Sequence, residues 1–284
     1  MLEPDTEQQQ RKNLADTLKQ LRKAAGLSGE RLAVRAAMSQ SKISRIESGK
    51  TLPTVADVER IMTALDVPAD AREELLSLTR SANVEYTSLR SSARLGIWRS
   101  QAEIKALTES ASTVRQFLPA IPSGLIQARD YARAVLTPGV EGRPARDIDR
   151  AVQARLDSQD TLNNESRVFC FLLTEQAVRL KRAAAGVMVE QLQHMAEVSQ
   201  RPNVDLAILP NAALVNASPL NVFVIYDDRL VLTEIFSGEV ALRDYRDINY
   251  HLNVFGHFYE RALTGDDARK TLESAADQFM RARD

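Results

Sequence analysis

"SGERLAVRAAMSQSKISRIESGK", Ser28 to Lys50, holds two short helical patterns parted by a three-residue break. Ser28 is placed to cap the first, in which Leu32 and Ala33 fall on the inward face. Ala36, Ala37 and Met38 form the break, and Ser39 is a second N-cap. The next helix turns Ile43 and Ile46, three residues apart, to the interior and stops at Gly49. Gln40, Ser41, Ser44 and Arg45 are left on the outer face. Each can hydrogen-bond and none suits a hydrophobic contact.

Upstream, Leu14, Leu18 and Leu21 share one helical face, and Gly26 ends that helix. Downstream, Thr54 caps a helix lined by Val58, Ile61, Met62 and Leu65, and a fifth carries Leu75, Leu76 and Leu78. Residues 8–82 therefore read as a compact five-helix domain. Charge singles out the same region. Between Arg11 and Leu52 ten basic residues stand against three acidic ones, while the whole chain carries only −1. A basic head on an acidic body is the asymmetry expected of a nucleic-acid-binding head, and charge alone fits a solvated helix surface equally well.

The stretch resembles the Xre family, the lambda-repressor-like helix-turn-helix regulators. The likeness is carried by Gly26-Leu27-Ser28, Leu32-Ala33, Met38 to Ser41, Ile43 to Glu47, Gly49-Lys50 and Pro53. It implies that the second helix enters the major groove of double-stranded DNA by its N-terminal end. Gln40 is then suited to adenine, Arg45 to guanine or a phosphate, and Ser41 and Ser44 to base edges or backbone. Ser28, at a helix start, and Lys42 and Lys50 are expected on phosphates, which position the protein without specifying sequence. The resemblance also implies a structural pair, Arg22 with Glu47, tying the first helix to the third. Two positions depart from the family pattern: Gly29 stands where glutamine is common, and Ala37 where the turn often has glycine. A left-handed Ala37 costs roughly 1–2 kcal/mol.

Beyond the head, "NVEYTSLRSSARLG" lacks clean periodicity, and residues 83–97 read as a linker. From Trp98 to Leu118 the spacing of Ile104, Leu107, Ala111, Val114 and Leu118 predicts one amphipathic helix. A proline- and glycine-marked turn follows, then helices over "ARDYARAVL" and the Arg/Asp-rich run from Arg143, the latter read as a solvated face with i,i+4 pairs. "RVFCFLLTE" and "NVDLAILP" are strand patterns with helices between them, as parallel neighbours require. "LNVFVIYDDRLVLTEIF" holds two strands turning at Asp227-Asp228-Arg229, and everything from Val240 reads as helix. The expected fold class is α+β: an all-α head, then residues 98–284 as a small mixed sheet flanked by helices.

The body resembles the C-terminal domain of unknown function, antitoxin-like, that follows an Xre head in many actinobacterial regulators. Trp98, "FLPAIPSGLIQARDYARAVL", "EQLQHMAEVSQRPNVDLAILP" and "LTEIFSGEVALRDYRDI" carry that likeness, with Ser123 departing from a proline-to-glycine step. It implies a small partner protein encoded nearby.

No catalytic set assembles. His194, His251 and His257 read as structural or surface residues, and Cys170 as an inert small hydrophobe in an apolar strand. Glycines are scattered, so there is no phosphate loop. No metal site and no cofactor are expected, and the chain is not read as an enzyme. Trp98 is expected as an anchor, and Tyr250, Val254, Phe258 and Tyr259 as core with a dimer contact as the sharper reading. A single cysteine, a polar N-terminus and no apolar run near 18 residues suit a reducing cytoplasmic setting without a membrane. The leading expectation is a sequence-specific transcriptional regulator, a homodimer on a palindromic operator, whose body receives a signal from the small partner or a ligand. The alternative is an antitoxin-like module that sequesters its partner and autoregulates its operon.

Overall fold

The computed structural model describes residues 4–88, 97–140 and 147–282. The chain divides into two compact units, one of residues 1–85 with 241–247 and the other of 86–240 with 248–284.

The first unit is the five-helix head: α1 (Pro4–Ala24), α2 (Gly29–Arg35), α3 (Gln40–Glu47), α4 (Val55–Ala64) and α5 (Ala69–Ala82). One core gathers Leu14 and Leu18 of α1, Leu32 and Ala33 of α2, Ile43 and Ile46 of α3, Val58, Ile61 and Met62 of α4, and Leu75 of α5. These are the apolar positions that the 3.6-residue period aligns on each helix. Leu78 departs from the expected apolar face, standing 44% exposed.

The second unit is α+β. It contains α6 (Ile97–Ser110), β2 (Thr113–Leu118), α7 (Arg129–Leu136), α8 (Ile148–Ser158), β3 (Val168–Thr174), α9 (Glu175–Arg179), α10 (Ala185–Val198), β4 (Val204–Leu209), β5 (Phe223–Tyr226), β6 (Leu230–Ile235), α11 (Tyr245–Tyr259) from Ile248 onward, and α12 (Gly265–Arg281). With β1 (Val84–Ser88) and β7 (Gly238–Leu242), the strands form one mixed sheet in the order β1-β7-β6-β5-β2-β3-β4. β2, β3 and β4 are parallel, with Arg115, Cys170 and Asp205 level across them. β5 is antiparallel to both β2 and β6. The helices between the parallel strands supply the crossovers that such pairs need.

Three expectations from the sequence are corrected by this sheet. The helix from Trp98 ends at Ser110, and Thr113–Leu118 is the strand joining the parallel and antiparallel halves. Its apolar spacing suits a helix, yet pairing with β3 on one side and β5 on the other satisfies its backbone in an extended form. Residues 240–242, expected to open a helix, belong to the strand Gly238–Leu242, and Val84–Ser88, in the stretch read as linker, is another strand. The Trp98 side chain and residues 143–146 of the Arg/Asp-rich run lie outside the described residues.

On one face of the sheet Phe258 of α11 stacks on Phe117, ring centroids 4.9 Å apart, and the Tyr259 hydroxyl donates to Asp205 at 2.6 Å. The outer edge of β4 is closed by a two-bond bridge between Ile208 and Leu263, which shields backbone that could otherwise template pairing.

Candidate nucleic-acid interface

The geometry of the outward helix follows from its caps. Ser28 Oγ accepts from the Arg31 amide at 3.2 Å, and Ser39 Oγ from the Lys42 amide at 3.2 Å. Between the two helices Ala37 sits at φ 51°, in the left-handed region, which lets the Met38 amide bond back to Ala33 at 2.9 Å. Gly49, at φ 70°, closes α3 through its amide on Ile46.

Ile43 and Ile46 are 1% and 0% exposed, so the rotation of α3 is fixed. Gln40, Ser41, Ser44 and Arg45 are all exposed on the opposite side, with Ser41 Oγ 3.2 Å from Ser39 Oγ. Ser28 at the start of α2 and Lys50 just past α3 are exposed as well.

Two ion pairs hold this helix. Arg22 of α1 donates from Nε and Nη2 to the two oxygens of Glu47, at 2.6 and 2.8 Å, and from Nη1 to the Leu27 carbonyl at 2.7 Å. The bond to Glu47 raises the Arg22 pKa further, against the opposing effect of burial. One guanidinium thus joins α1, the loop before α2 and the end of α3. Lys42 is committed within the head: its Nζ donates to Asp57 Oδ1 at 2.7 Å, while Asp57 Oδ2 accepts from the Thr54 amide at 3.1 Å. Asp57 is 3% exposed and completes a capping box with Thr54. Sequence reasoning missed it, although the Thr54-x-x-Asp57 spacing carried the signal.

The body holds polar side chains of a different kind. The turn expected after Leu118 is buried and clamped. Gln191 accepts from the Ala128 amide and donates to the Ile126 carbonyl, both at 2.8 Å. Gln127, 1% exposed, donates to Pro122 and accepts from Arg155, both at 2.7 Å. Arg155 therefore points inward, correcting its reading as part of a solvated face. Ser123 accepts from the Leu125 amide at 3.2 Å, so the departure from proline-glycine becomes a local cap.

A cleft of about 300 Å³ opens beside this turn, lined by Arg129, Leu156, Glu190, Gln193, His194 and Glu197 among others. Burial holds His194 below the usual imidazole range. At Cys170, burial and then Asp205 push the thiol up, against a smaller opposing effect of Arg115, so it is a poor nucleophile at neutral pH. Asp227, at φ 53°, makes the expected turn and also ties it to β2, since its Oδ1 accepts from the Ser112 and Thr113 amides at 2.9 and 2.8 Å. Among the described residues no group of three or more histidine, cysteine, aspartate or glutamate side chains is placed to hold a metal ion. Among the same residues no helix is long and apolar enough to cross a membrane.

Caps, turn and outward polar face define the head as a helix-turn-helix unit, and residues 13–75 match the family described as Helix-turn-helix domain, which points to a DNA-binding regulator. Residues 101–274 match the family described as Domain of unknown function (DUF5753), and the chain belongs to that family. No curated protein matches the chain.

Among solved structures, TrmBL2, described as an archaeal chromatin protein with a novel mode of DNA binding, is 17% identical, with 73% of this chain and 66% of that chain covered and a TM-score of 0.34. NucT from Helicobacter pylori is 13% identical over 64% of this chain and 98% of its own, with a TM-score of 0.38. Nuc from Salmonella typhimurium, a phospholipase D family member, is 11% identical over 64% and 95%, with a TM-score of 0.35.

Proposed function

We propose that this protein is a sequence-specific transcriptional regulator of the lambda-repressor-like kind, working in the cytoplasm as a homodimer on a palindromic operator. The observation that carries the reading is the polar face of α3, with Gln40, Ser41, Ser44 and Arg45 exposed on a helix whose rotation is fixed by Ile43, Ile46 and the Arg22–Glu47 pair. A rigid helix with hydrogen-bonding side chains is what base-edge readout in the major groove needs. One such head meets too few base pairs to select a genomic site, and two heads on half-sites about 34 Å apart read a palindrome.

The body receives the signal, from a small partner protein or a ligand, and has no catalytic role. The raised thiol of Cys170, which is not an activated nucleophile, is consistent with that reading.

Fluorescence anisotropy on labelled operator fragments tests the reading. Binding weakens as salt rises, because phosphate contacts release counterions. Arg45→Ala costs about 1–3 kcal/mol and relaxes preference at the base it contacts. Equal affinity of wild type and Arg45→Ala for every fragment would remove the recognition role of α3.

A further inference from the structure

The second unit carries a surface unlike the rest of the chain. Between Asp205 and Asp227 there is no charged side chain, although 26% of all residues are charged. The first part of that run is strand β4, where burial accounts for it. Residues 211–222 are different: they form a connection without helix or strand, and most of them are exposed. Leu214 is 86% and Leu220 77% exposed.

The connection is nevertheless fixed at both ends. The Asn211 amide donates to Glu175 Oε2 at 2.8 Å, and the Val222 carbonyl accepts from the Glu234 amide at 3.0 Å. In the antiparallel β5–β6 pair, Leu220 lies two residues before Val222 and Phe236 two after Glu234, so both stand at the same end of the hairpin. Phe236 is 98% exposed and Ile235 beside it 40%. Charge lies only at its margins, with Glu175 on the Asn211 amide at one end and Glu234 beside Ile235 at the other.

A long connection held at both ends, stripped of charge and showing leucine and phenylalanine to solvent, has the composition of an interface core. Its neutrality says which partner fits. Nucleic acid calls for lysine and arginine, and this face has none. A two-fold interface sets a patch against its own copy, so any charge at its centre would meet the same charge. An uncharged patch escapes that penalty. Asn211, Asn216 and Asn221 add side chains that both donate and accept, and so can pair with themselves.

We propose that residues 211–222 together with Ile235 and Phe236 form the docking surface for a second copy of this chain. The proposal rests on the reading above of two heads on one operator, and supplies the surface that joins them. The patch is smaller than the roughly 20–30 residues a side of a standard interface, so the free dimer exchanges with monomer.

The test is sedimentation velocity of the full chain over a wide concentration range, comparing wild type with Phe236→Asp and Leu220→Asp. Both side chains are exposed, so circular dichroism and melting stay at wild-type values. The expected result is a wild-type dimer and, in each variant, a dimer dissociation constant raised about tenfold or more. A dimer unchanged in both variants would overturn the assignment, as would a wild type that stays monomeric. A monomeric wild type that captures phosphatidylcholine vesicles through Phe236 would give the face to a lipid surface instead. DNA anisotropy on the same samples separates the two readings. If the variants disrupt the dimer while the wild type binds no DNA, the docking surface stands and DNA reading fails.

Discussion

Arg22 and Glu47, twenty-five residues apart, bind each other through two parallel bonds of 2.6 and 2.8 Å, with side chains 14% and 11% exposed. Removing one partner leaves the other charge in a largely dry place. Arg22→Ala or Glu47→Ala should therefore destabilise the head by about 3 kcal/mol. Arg22→Lys should rescue little, since an ammonium cannot make the fork or also reach Leu27. The double variant Arg22→Met/Glu47→Leu should recover most of the loss. Hydrogen exchange of the buried α3 amides reads all three, and an unaltered protection pattern in Arg22→Ala would dismiss the clamp.

Ala37 at φ 51° carries strain that glycine would not. Ala37→Gly should stabilise the head by about 1 kcal/mol once the greater freedom of glycine in the unfolded chain is offset. Urea denaturation of the two proteins measures the difference; destabilisation would show that the turn is not strained.

Lys42 and Lys50 differ in a measurable way. Lys42 is held by Asp57, whereas Lys50 is exposed beyond Gly49. Lys50→Ala should lower the salt dependence of DNA binding by about one counterion. Lys42→Met should leave that slope nearly intact and lower head stability instead, through an unpaired Asp57. The reverse outcome would place Lys42 on a phosphate and take Lys50 off one.

Asp227 stitches the β5–β6 turn to the start of β2. Burial opposes its ionisation, but the Thr113 amide, the Arg229 guanidinium and the Ser112 amide outweigh it and hold the carboxyl below the ordinary range. A carboxyl depressed in the fold stabilises above its unfolded value of about 3.9, and that stabilisation is lost as pH falls through the lower folded value. Asparagine tolerates the same left-handed turn. Asp227→Asn should thus cost about 1–3 kcal/mol at neutral pH and lose this acid-dependent contribution. Exchange of the Thr113 amide across pH checks it, and equal protection in both proteins would refute it.

Much of the head was legible because its signals are local. Ser28, Ser39 and Thr54 cap within three residues, and Ile43 and Ile46 set a face by spacing alone. The body was harder because its decisive contacts are distant in sequence. Val114 and Leu118 continue the helical spacing from Ile104, and only pairing with Phe169 and Tyr226 makes that segment a strand. Arg155 sits in a charged run that reads as solvated, yet it reaches Gln127, twenty-eight residues away. The exposed polar set of α3, Gln40, Ser41, Ser44 and Arg45, could be named from sequence, while the bond of Lys42 to Asp57 required coordinates.

The exposed polar face of α3 is proposed to read a DNA sequence. Selection of fragments from the protein's own genomic DNA, run side by side with wild type and Arg45→Ala, tests it most directly. The wild type should enrich one palindrome, and the variant should lose or relax that site. The same fragments at the same enrichment from both proteins, or no enriched site from the wild type, would contradict it.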